Sequence, residues 1–383
     1  MPISQFYERS IESQINSWLF QSKVIILYGA RQVGKTTLAK KIISMYPDNL
    51  FLECERNTVK EVLESQNVEK IISFFAGKNI IVLDEAQKVN HIGVILKLLI
   101  DTNPDIQIIA TGSSSFDLAN KLNEPLTGRN IKFLVYPLSL SELQQRYNNL
   151  EITEKLEELL KFGNYPAIIN SDQSKSIDLL DSMNGDYLYR DVLMYEQLKN
   201  PTLLRSILKA LALQIGSEVS TLEIAKLVNS STVIVQKYLD LLEQSFVIFK
   251  LTSFSRNLRK EIKNKFKIYF YDLGIRNSII QAYQDIENRS DIGGLWENFC
   301  ILERLKLHQK NGLKVNMYFW KTYQNLQEID LIEEANGELN AFEIKWNANA
   351  KIKQPRDFLE AYQKESKVNF NVINKSNWWQ WLV

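Results

Sequence analysis

The chain of 383 residues has few of the side chains that hold zinc or form disulfides. It contains two cysteines, Cys54 and Cys300, which lie far apart and outside any CxxC spacing, and two histidines, His91 and His308. Structural zinc sites take four such ligands at close spacings that these residues lack, and small secreted proteins use many more cysteines, so the sequence disfavours both classes. So few cysteines are typical of a protein kept in a reducing cytoplasm, which is the predicted location.

Long apolar runs and an excess of charge are also lacking. No segment approaches the roughly 18 consecutive apolar residues that cross a bilayer. The start, MPISQFYERSIESQINSWLF, interrupts its apolar residues with acids and amides, unlike a signal peptide. We therefore expect no membrane partner and no export. Lys and Arg number 46 against 45 Asp and Glu, so net charge neither demands nor excludes a nucleic-acid partner.

A polar, glycine-containing loop follows the first strongly apolar run. The run SKVIILYG, residues 22–29, is rich in β-branched residues, and the segment KTTLAKKIISMY repeats apolar residues at helical spacing. Between them, Gly29, Gly34, Lys35 and Thr36 satisfy the pattern GxxxxGK[ST]. Strand, loop and helix are the context that this phosphate-binding motif requires. A simple strand-to-helix turn would need neither Lys35 nor Thr36.

The loop chemistry suits a nucleoside triphosphate. Glycines allow backbone N–H groups to turn toward phosphate oxygens, and the following helix adds its positive N-terminal end. Lys35 can reach the β- and γ-phosphates, and the Thr36 hydroxyl can ligate Mg²⁺. The sequence therefore predicts ATP and Mg²⁺ as cofactors. The predicted nucleotide contacts in this loop are Gly29, Ala30, Arg31, Gln32, Val33, Gly34, Lys35, Thr36 and Thr37.

A second apolar run ends in two acids. The segment KNIIVLDEAQKV, residues 78–89, predicts a strand that carries Asp84 and Glu85 at its carboxyl end, where open α/β sheets bind ligands. Asp84 is predicted to hold the Mg²⁺ shell, and Glu85 to polarise the attacking water. Either residue could instead cap a following helix.

A third predicted strand, DIQIIATGSSS at residues 105–115, ends in hydroxyls. Thr111 or Ser113 could hydrogen-bond the γ-phosphate or the water, and either could equally cap the next helix. Further on, Arg129 in PLTGRNIKFLVYPL stands just before another apolar strand. Its position resembles the arginine finger of AAA+ ATPases, where a neighbouring subunit supplies the guanidinium. That role implies a homo-oligomer, and the alternative is a surface arginine.

These motifs, taken in order, resemble archaeal and bacterial AAA-type ATPases that pair an N-terminal P-loop domain with a C-terminal domain of unknown function. GARQVGKTT, IIVLDEAQ, ATGSSS, LTGR and YPLSLSEL lie within residues 25–143. FGNYPAII at 162–169 and YLYRDV at 187–192 look like connecting segments of that family. The resemblance implies ATP binding and hydrolysis, with the role called sensor 1 for the strand-end hydroxyl, and it implies no particular substrate. The catalytic residues that it implies are Lys35, Glu85 and Arg129.

The middle of the chain is predicted to be helical and then to form a winged helix-turn-helix. Residues 145–200 have a helical pattern and are interpreted as a lid and connector. In residues 219–251, a capping box of Ser220 with Glu223 precedes a helix, an NSS turn, a second helix and a strand. The second helix, 232–244, offers few side chains for base edges, so the pattern favours nonspecific nucleic-acid contact or a packing role between domains.

A basic segment, RNLRKEIKNKFK, follows that pattern and contains one acid. Such a cluster could neutralise phosphates and would make nucleic-acid binding salt-dependent. The residues predicted to contact nucleic acid are Arg256, Arg259, Lys260, Lys263, Lys265 and Lys267.

A hairpin near the C-terminus is predicted from two β-rich runs around Asn336-Gly337. With a two-residue turn, facing residues have numbers that sum to 673, so Asp330 faces Glu343 and Lys345 lies on the same side. The other side would pair apolar residues and be buried, namely Ile329 with Ile344 and Leu331 with Phe342.

Two opposed carboxylates on one sheet face are destabilising unless a cation or Lys345 offsets them, which makes them candidates for function. Asp330 and Glu343-x-Lys345, with Glu297 on a preceding helix, resemble the PD-(D/E)xK nuclease core. There the carboxylates hold Mg²⁺ or Mn²⁺, and the lysine orients or activates water. The pair Ile329-Asp330 stands where a proline-aspartate pair is expected. The alternative is an inactive nuclease-like scaffold that binds nucleic acid or a partner.

The sequence thus predicts an α/β protein in four parts. Residues 1–143 form a P-loop, AAA-type ATPase domain with a parallel sheet, and 144–200 form a helical lid. Residues 201–275 form the winged helix, and 276–383 form an α/β nuclease-like domain. The leading hypothesis is ATP hydrolysis coupled to nucleic-acid binding or processing. The alternative is an ATP-dependent regulatory or defence switch that recruits a protein partner.

Overall fold

The structure is a computed structural model that describes residues 6–112, 126–188, 200–256, 265–322 and 327–383. The chain divides into two compact units. The first consists of residues 1–138 with 244–246, and the second of residues 139–243 with 247–383. Within the described ranges, no helix combines the length and the hydropathy of a segment that crosses a membrane.

A five-stranded sheet in the order β2-β3-β4-β1-β5 forms the centre of the first unit, and every pairing in it is parallel. The central strands are buried and apolar, as is typical of parallel sheets covered on both faces. This confirms the predicted parallel α/β arrangement. Its strands are β1 (Val24–Tyr28), β2 (Asn49–Glu53), β3 (Ile80–Asp84), β4 (Gln107–Gly112) and β5 (Asn130–Leu134).

Helices connect these strands, and the strand order brings the polar strand ends together. Since β4 lies between β1 and β3, the loop after β1 and the acids after β3 flank its carboxyl end. The helices of this unit are α1 (Glu12–Ser17), α2 (Lys35–Ile43), α3 (Asn57–Glu64), α4 (Val68–Phe74) and α5 (Ile92–Thr102).

The second unit begins with a helical region, as predicted. Capping boxes at Ser139 and Asn148 start two of its helices. Pro166 and Pro201 stand at the first position of helices, where the missing N–H costs nothing. A π-helical turn, Met183–Leu188, follows the helix that ends at Ser182. The helices are α6 (Leu140–Leu143), α7 (Asn149–Phe162), α8 (Pro166–Ile169), α9 (Gln173–Ser182) and α10 (Pro201–Leu213).

The segment predicted as helix, turn, helix and strand has that order. The Ser220 hydroxyl accepts a hydrogen bond of 3.2 Å from the Glu223 N–H, which caps the first of the two helices. The elements are β6 (Glu218–Ser220), α11 (Thr221–Leu227), α12 (Thr232–Gln244), β7 (Ile248–Ser253) and β8 (Lys265–Phe270).

One mixed sheet of seven strands runs through the rest of the unit in the order β12-β11-β10-β9-β7-β8-β6. Strand β7 pairs in parallel with β9 through Thr252 with Tyr318 and Ser253 with Phe319. The segments predicted as winged helix and nuclease-like domain therefore contribute to a common sheet. The remaining elements are α13 (Leu273–Ile280), α14 (Ile292–Lys310), β9 (Asn316–Lys321), β10 (Glu328–Ala335), β11 (Glu338–Ile344), α15 (Arg356–Tyr362), β12 (Lys367–Ile373) and α16 (Trp379–Leu382).

The predicted hairpin is present, with β10 and β11 joined by Asn336 and Gly337. Both turn residues have positive φ, 51° and 79°, as a type I′ turn requires. Residues of the two strands pair from Ala335 opposite Glu338 to Leu331 opposite Phe342, which is the predicted register.

One detail of the predicted hairpin is wrong. The pairing of β10 with β9 contains a bulge between Ile329 and Ile332. Those two residues would point to opposite faces in a regular strand, yet they belong to one apolar cluster with Phe254, Trp320 and Phe358. The extra residue of the bulge thus moves Ile329 out of the predicted alternation.

Candidate functional site

The loop after β1 has a backbone that only glycine can adopt at one position. Gly29 has a φ of 145°, and a Cβ there would collide with the carbonyl oxygen of Val135. Gly34, with a φ of 99°, precedes α2 directly. Gln32 also has a positive φ, 62°. The loop therefore folds tightly against the strand end and delivers the chain to the helix N-terminus.

Lys35 is buried, and its ammonium lies within the loop. Its Nζ donates hydrogen bonds of 2.7 Å to the Ala30 carbonyl and 3.0 Å to the Gly29 carbonyl. Phosphate oxygens entering the loop would compete with these two carbonyls for the same ammonium. The Lys35 ammonium thus contacts the loop itself, and its contact with phosphate stays a prediction.

The loop after β1 and the end of β4 both contact Asp84, at the end of β3. The Thr36 hydroxyl donates to Asp84 Oδ1 at 2.8 Å, and the Thr111 hydroxyl donates to the same oxygen at 2.7 Å. The Glu85 N–H donates to the Thr111 hydroxyl at 3.1 Å. Four of the residues singled out in the sequence therefore share one hydrogen-bonded cluster. Ser113, the other candidate hydroxyl, lies outside the described residues.

Glu85 is held by a residue that sequence reasoning missed. Its φ is 54°, in the left-handed region, and a short 3₁₀ turn, Ala86–Lys88, follows it. The side-chain amide of buried Gln87 donates to Glu85 Oε2 at 2.5 Å. The sequence contains this pair as the glutamate and glutamine of DEAQ. Their contact can be inferred only once the 3₁₀ turn is known.

Arg9 is a second contact that the sequence did not indicate. Its guanidinium donates at 2.7 Å to the Val33 carbonyl in the loop and at 2.5 Å to the Tyr136 carbonyl beyond β5. These contacts span 24 and 127 residues, so no local pattern could reveal them. Arg9 thereby ties the loop to the end of a neighbouring strand.

The other predicted loop contacts differ in exposure. Ala30 and Val33 are buried, Arg31 is half-buried, and Gln32 and Thr37 are exposed. Their contacts with a nucleotide stay predictions.

Behind the cluster lies Cys54, whose N–H donates at 2.9 Å to the Asp84 carbonyl. Burial, with the nearby charges of Asp84 and Glu85, raises the pKa of its thiol to about 12. The thiol stays protonated at neutral pH and is a poor nucleophile.

Arg129 lies away from its own phosphate loop. Its carbonyl accepts from the N–H of Val24, the first residue of β1, whereas the loop follows the last. Its guanidinium forms an ion pair of 2.6 Å with Asp101. The structure therefore does not bring Arg129 to the Asp84 cluster of the same chain, and its role as an arginine finger in a neighbouring chain stays a prediction.

The predicted carboxylates of the second unit do come together. Lys345 Nζ lies 2.7 Å from Glu343 and 3.3 Å from Asp330. Asp330 Oδ2 also accepts from the Ile344 N–H at 2.8 Å. Glu297 on α14 lies nearby and is half-buried. Burial and the charge of Asp330 raise the pKa of Glu297 to about 7, against the lowering effect of Lys267.

A metal site at these carboxylates is not supported. In the part of the chain that the structure describes, no group of three or more His, Cys, Asp or Glu side chains could hold a metal ion. The amine of Lys267 lies among the carboxylates instead, 2.8 Å from Glu297, 2.8 Å from Glu328 and 3.5 Å from Asp330.

The predicted role of Lys267 in nucleic-acid contact is wrong. Only 2% of its surface is exposed, so it cannot reach a phosphate backbone. Of the other basic residues, Lys265 pairs with Glu218 at 2.8 Å and Arg256 with Glu334 at 2.7 Å. The remaining three, Arg259, Lys260 and Lys263, lie outside the described residues.

Three family models match consecutive parts of this chain. Residues 21–144 match an AAA domain. This AAA domain contains the loop after β1, Asp84 and Thr111. Residues 153–285 and 292–378 match two domains of unknown function, DUF8612 and DUF4143. The chain therefore has a P-loop ATPase domain followed by two domains of undescribed function.

Uncharacterized proteins from two bacteria resemble most of the chain. One from Mycobacterium tuberculosis is 26% identical over 347 residues, which is 90% of this chain and 75% of that protein. One from Haemophilus influenzae is 25% identical over 349 residues, covering 85% of this chain and 84% of that protein. Their names supply no activity.

A solved structure with a similar fold is the Walker-type ATPase PABY2304 of Pyrococcus abyssi. The TM-score is 0.50 at 18% sequence identity, and the match covers 73% of this chain and 97% of that one. At this identity the likeness concerns the fold alone.

Proposed function

We propose that this protein binds Mg²⁺-ATP in the loop after β1 and hydrolyses it. The observation that carries the proposal is that the hydroxyls of Thr36 and Thr111 both hydrogen-bond Asp84 Oδ1. Thr36 and Asp84 would hold the Mg²⁺ ion, which neutralises charge on the phosphates. Lys35 would bind the β- and γ-phosphates, and Glu85 would orient the attacking water.

Two substitutions test the hydrolysis. In Lys35→Ala and in Glu85→Gln, steady-state ATP turnover should fall by roughly two orders of magnitude or more, because each removes a group that acts on the transferring phosphoryl group. The Glu85→Gln protein should still bind a fluorescent ATP analogue, since the glutamate acts on water. Lys40→Ala, an exposed lysine of the same helix as Lys35, is the matched control. Wild-type turnover no higher than that of Lys35→Ala would refute the proposal.

The second unit favours a protein partner for the ATPase. The two helices of the predicted winged helix expose apolar side chains: Leu222 is 55% exposed, Leu227 61% and Val233 67%. Exposed apolar side chains suit a protein contact, whereas helices that read nucleic acid present polar and cationic side chains. A nucleotide-dependent switch that recruits a protein is therefore a specific candidate.

Coupling to nucleic acid is the other candidate. Its support is the basic segment after β7, in which the described residues Arg256 and Lys265 are exposed although each is ion-paired. ATP turnover should be measured with and without plasmid DNA or RNA, beside a gel shift and a cleavage assay with Mg²⁺ or Mn²⁺ and the Asp330→Ala variant. Stimulated turnover with a shift supports nucleic acid. No stimulation, no shift and no cleavage support the protein-recruiting switch.

A further inference from the structure

The carboxylates predicted to bind a metal already hold an internal cation. Lys267 reaches from β8 to three carboxylates: Glu297 on α14, and Glu328 and Asp330 on β10. An ammonium group has three N–H donors, so three carboxylates saturate it. Its side chain is 2% exposed, and the Asp330 side chain 6%. The centre of the cluster, Lys267 with Asp330, is thus buried, while the Glu328 side chain at its edge is 32% exposed.

The charges within the cluster leave little for a divalent ion. Four carboxylates take part: Glu297, Glu328, Asp330 and Glu343. Three ammonium groups face them: Lys267, Lys321 and Lys345. With every group ionised, the formal sum is three minus four, or −1. Without Lys267 the sum is two minus four, or −2, which matches the charge of Mg²⁺ or Mn²⁺.

Position matters as well as charge. Lys267 touches two of the three predicted metal ligands, Glu297 and Asp330. A divalent ion bound to both would lie next to its ammonium group, and like charges at that range repel strongly in a buried site. Lys345 differs, because its side chain is 40% exposed and it touches the edge of the cluster at Glu343 and Asp330.

We propose that the ammonium of Lys267 occupies the place of a divalent cation in the second unit, so that this acidic cluster is closed to metal in the native protein. Removing the ammonium opens a divalent-cation site at Glu297, Glu328 and Asp330. The cluster then stabilises the sheet and supports no metal-dependent cleavage. The inference is independent of whether the first unit hydrolyses ATP.

Binding of Mn²⁺, followed by electron paramagnetic resonance of the free ion, tests this proposal. All proteins carry Asp84→Asn, which removes the predicted Mg²⁺ ligand of the first unit. The parent should bind no more Mn²⁺ than its Asp330→Asn derivative. Adding Lys267→Met, which keeps the length of the side chain without its charge, should create one Mn²⁺ site per chain. Adding Asp330→Asn to that protein should abolish the site.

Lys345→Met is the matched control, because it removes the same charge and leaves Lys267 in place. It should gain no Mn²⁺ site. Equal gains in the two methionine variants would overturn the proposal, as would parent binding that Asp330→Asn removes. If Lys267→Met is unfolded in metal-free buffer by circular dichroism, refolding on addition of Mn²⁺ supports the proposal. A folded variant without Mn²⁺ binding, or an unfolded one that Mn²⁺ does not rescue, overturns it.

Discussion

Asp84 receives two hydroxyl hydrogen bonds on one carboxylate oxygen, one from each neighbouring motif. Thr111 uses its hydroxyl twice, since it donates to Asp84 and accepts from the Glu85 N–H. A hydroxyl has one proton. If Thr111 contacts a γ-phosphate as a donor, that contact must therefore replace the bond to Asp84. Nucleotide binding would then change the hydrogen bonding of the Thr111 hydroxyl, which also accepts from the Glu85 N–H.

Gln87 is expected to position Glu85 for its work on water. In Gln87→Ala, kcat for ATP hydrolysis should fall roughly ten- to hundredfold, because a loosened carboxylate loses its near-attack geometry. The dissociation constant for ATP should change little, since the Gln87 amide donates to Glu85, the residue proposed to act on water. Steady-state kinetics and equilibrium binding together measure the two effects.

Lys88→Ala, in the same 3₁₀ turn, serves as the control for Gln87→Ala and should leave kcat unchanged. A Gln87→Ala protein with normal kcat and weakened ATP binding would show that the amide acts on the fold of the loop instead.

The residues of the loop could be predicted because their spacing is local, while the contacts of Arg9 could not. Gln87 is local to Glu85, but its contact depends on the 3₁₀ turn between them. GxxxxGKT fixes a short stretch of backbone, and its meaning survives without the rest of the fold. Arg9 acts across 127 residues, at Tyr136. For Lys267 the local pattern was misleading. Its basic sequence neighbours suggested an exposed surface, whereas its position in β8 buries it.

At the scale of elements, Asp272 joins the helical region to α13. Its carboxylate accepts from the Asn164 N–H at 2.7 Å and from the Ile275 N–H at 3.2 Å, so it caps the helix and holds the preceding connector. Gly163 has no room for a Cβ against this carboxylate. Burial raises the pKa of Asp272 to about 6, although these hydrogen bonds and Lys306 lower it.

The raised pKa of Asp272 predicts a dependence of stability on pH. The folded pKa of about 6 lies above the ordinary value of 3.8, so the contribution is fully present below pH 3.8 and is lost as pH rises through 6. The free energy of unfolding of the wild type, relative to Asp272→Asn, should therefore fall by roughly 2 kcal/mol between pH 4 and pH 7. Urea denaturation of both proteins at several pH values measures this difference. A difference that stays constant or grows with pH would contradict the prediction.

The hairpin shows how far patterns of elements can be trusted. Asn336-Gly337 fixed the turn, and the turn fixed the register from Ala335 to Leu331. The bulge beyond Leu331 depends on the neighbouring strand β9. The alternation of apolar and polar residues in β10 does not indicate how β9 pairs with it, so the position of Ile329 could not be predicted.

At the scale of the molecule, the predicted role of Arg129 at the nucleotide site of a neighbouring chain requires a homo-oligomer. If it completes the site of a neighbouring chain, Arg129→Ala should lower ATP turnover roughly a thousandfold or more, which is the lower end of what an arginine finger contributes. Mixing Arg129→Ala with Lys35→Ala should restore part of the turnover, because a mixed assembly contains one intact composite site. Turnover measured across mixing ratios checks this.

Asp101→Ala separates the arginine finger from a surface ion pair. It breaks the pair with Arg129 and keeps the guanidinium, so turnover should be unchanged. Wild-type turnover in Arg129→Ala, or a mixture no more active than its components, would remove the expectation of a homo-oligomer.

The division of the whole chain was predictable only in part. Strands β1, β3 and β4 of the first unit follow from apolar runs that each end in a motif, whereas the edge strand β2 was not predicted. The helical region follows from its periodicity. The pairing of β7 with β9 joins strands more than 60 residues apart in sequence through two residue pairs. No local signal marks it, so the predicted border at residue 275 passes through a continuous sheet.

That continuity determines how the polypeptide can be dissected. A fragment ending at residue 275 would keep β7 with a bare flank, and the complementary fragment would keep β9 equally bare. Such flanks pair with whatever strand they meet, so each piece made alone should accumulate as insoluble material, while co-expression of the two should allow them to anneal.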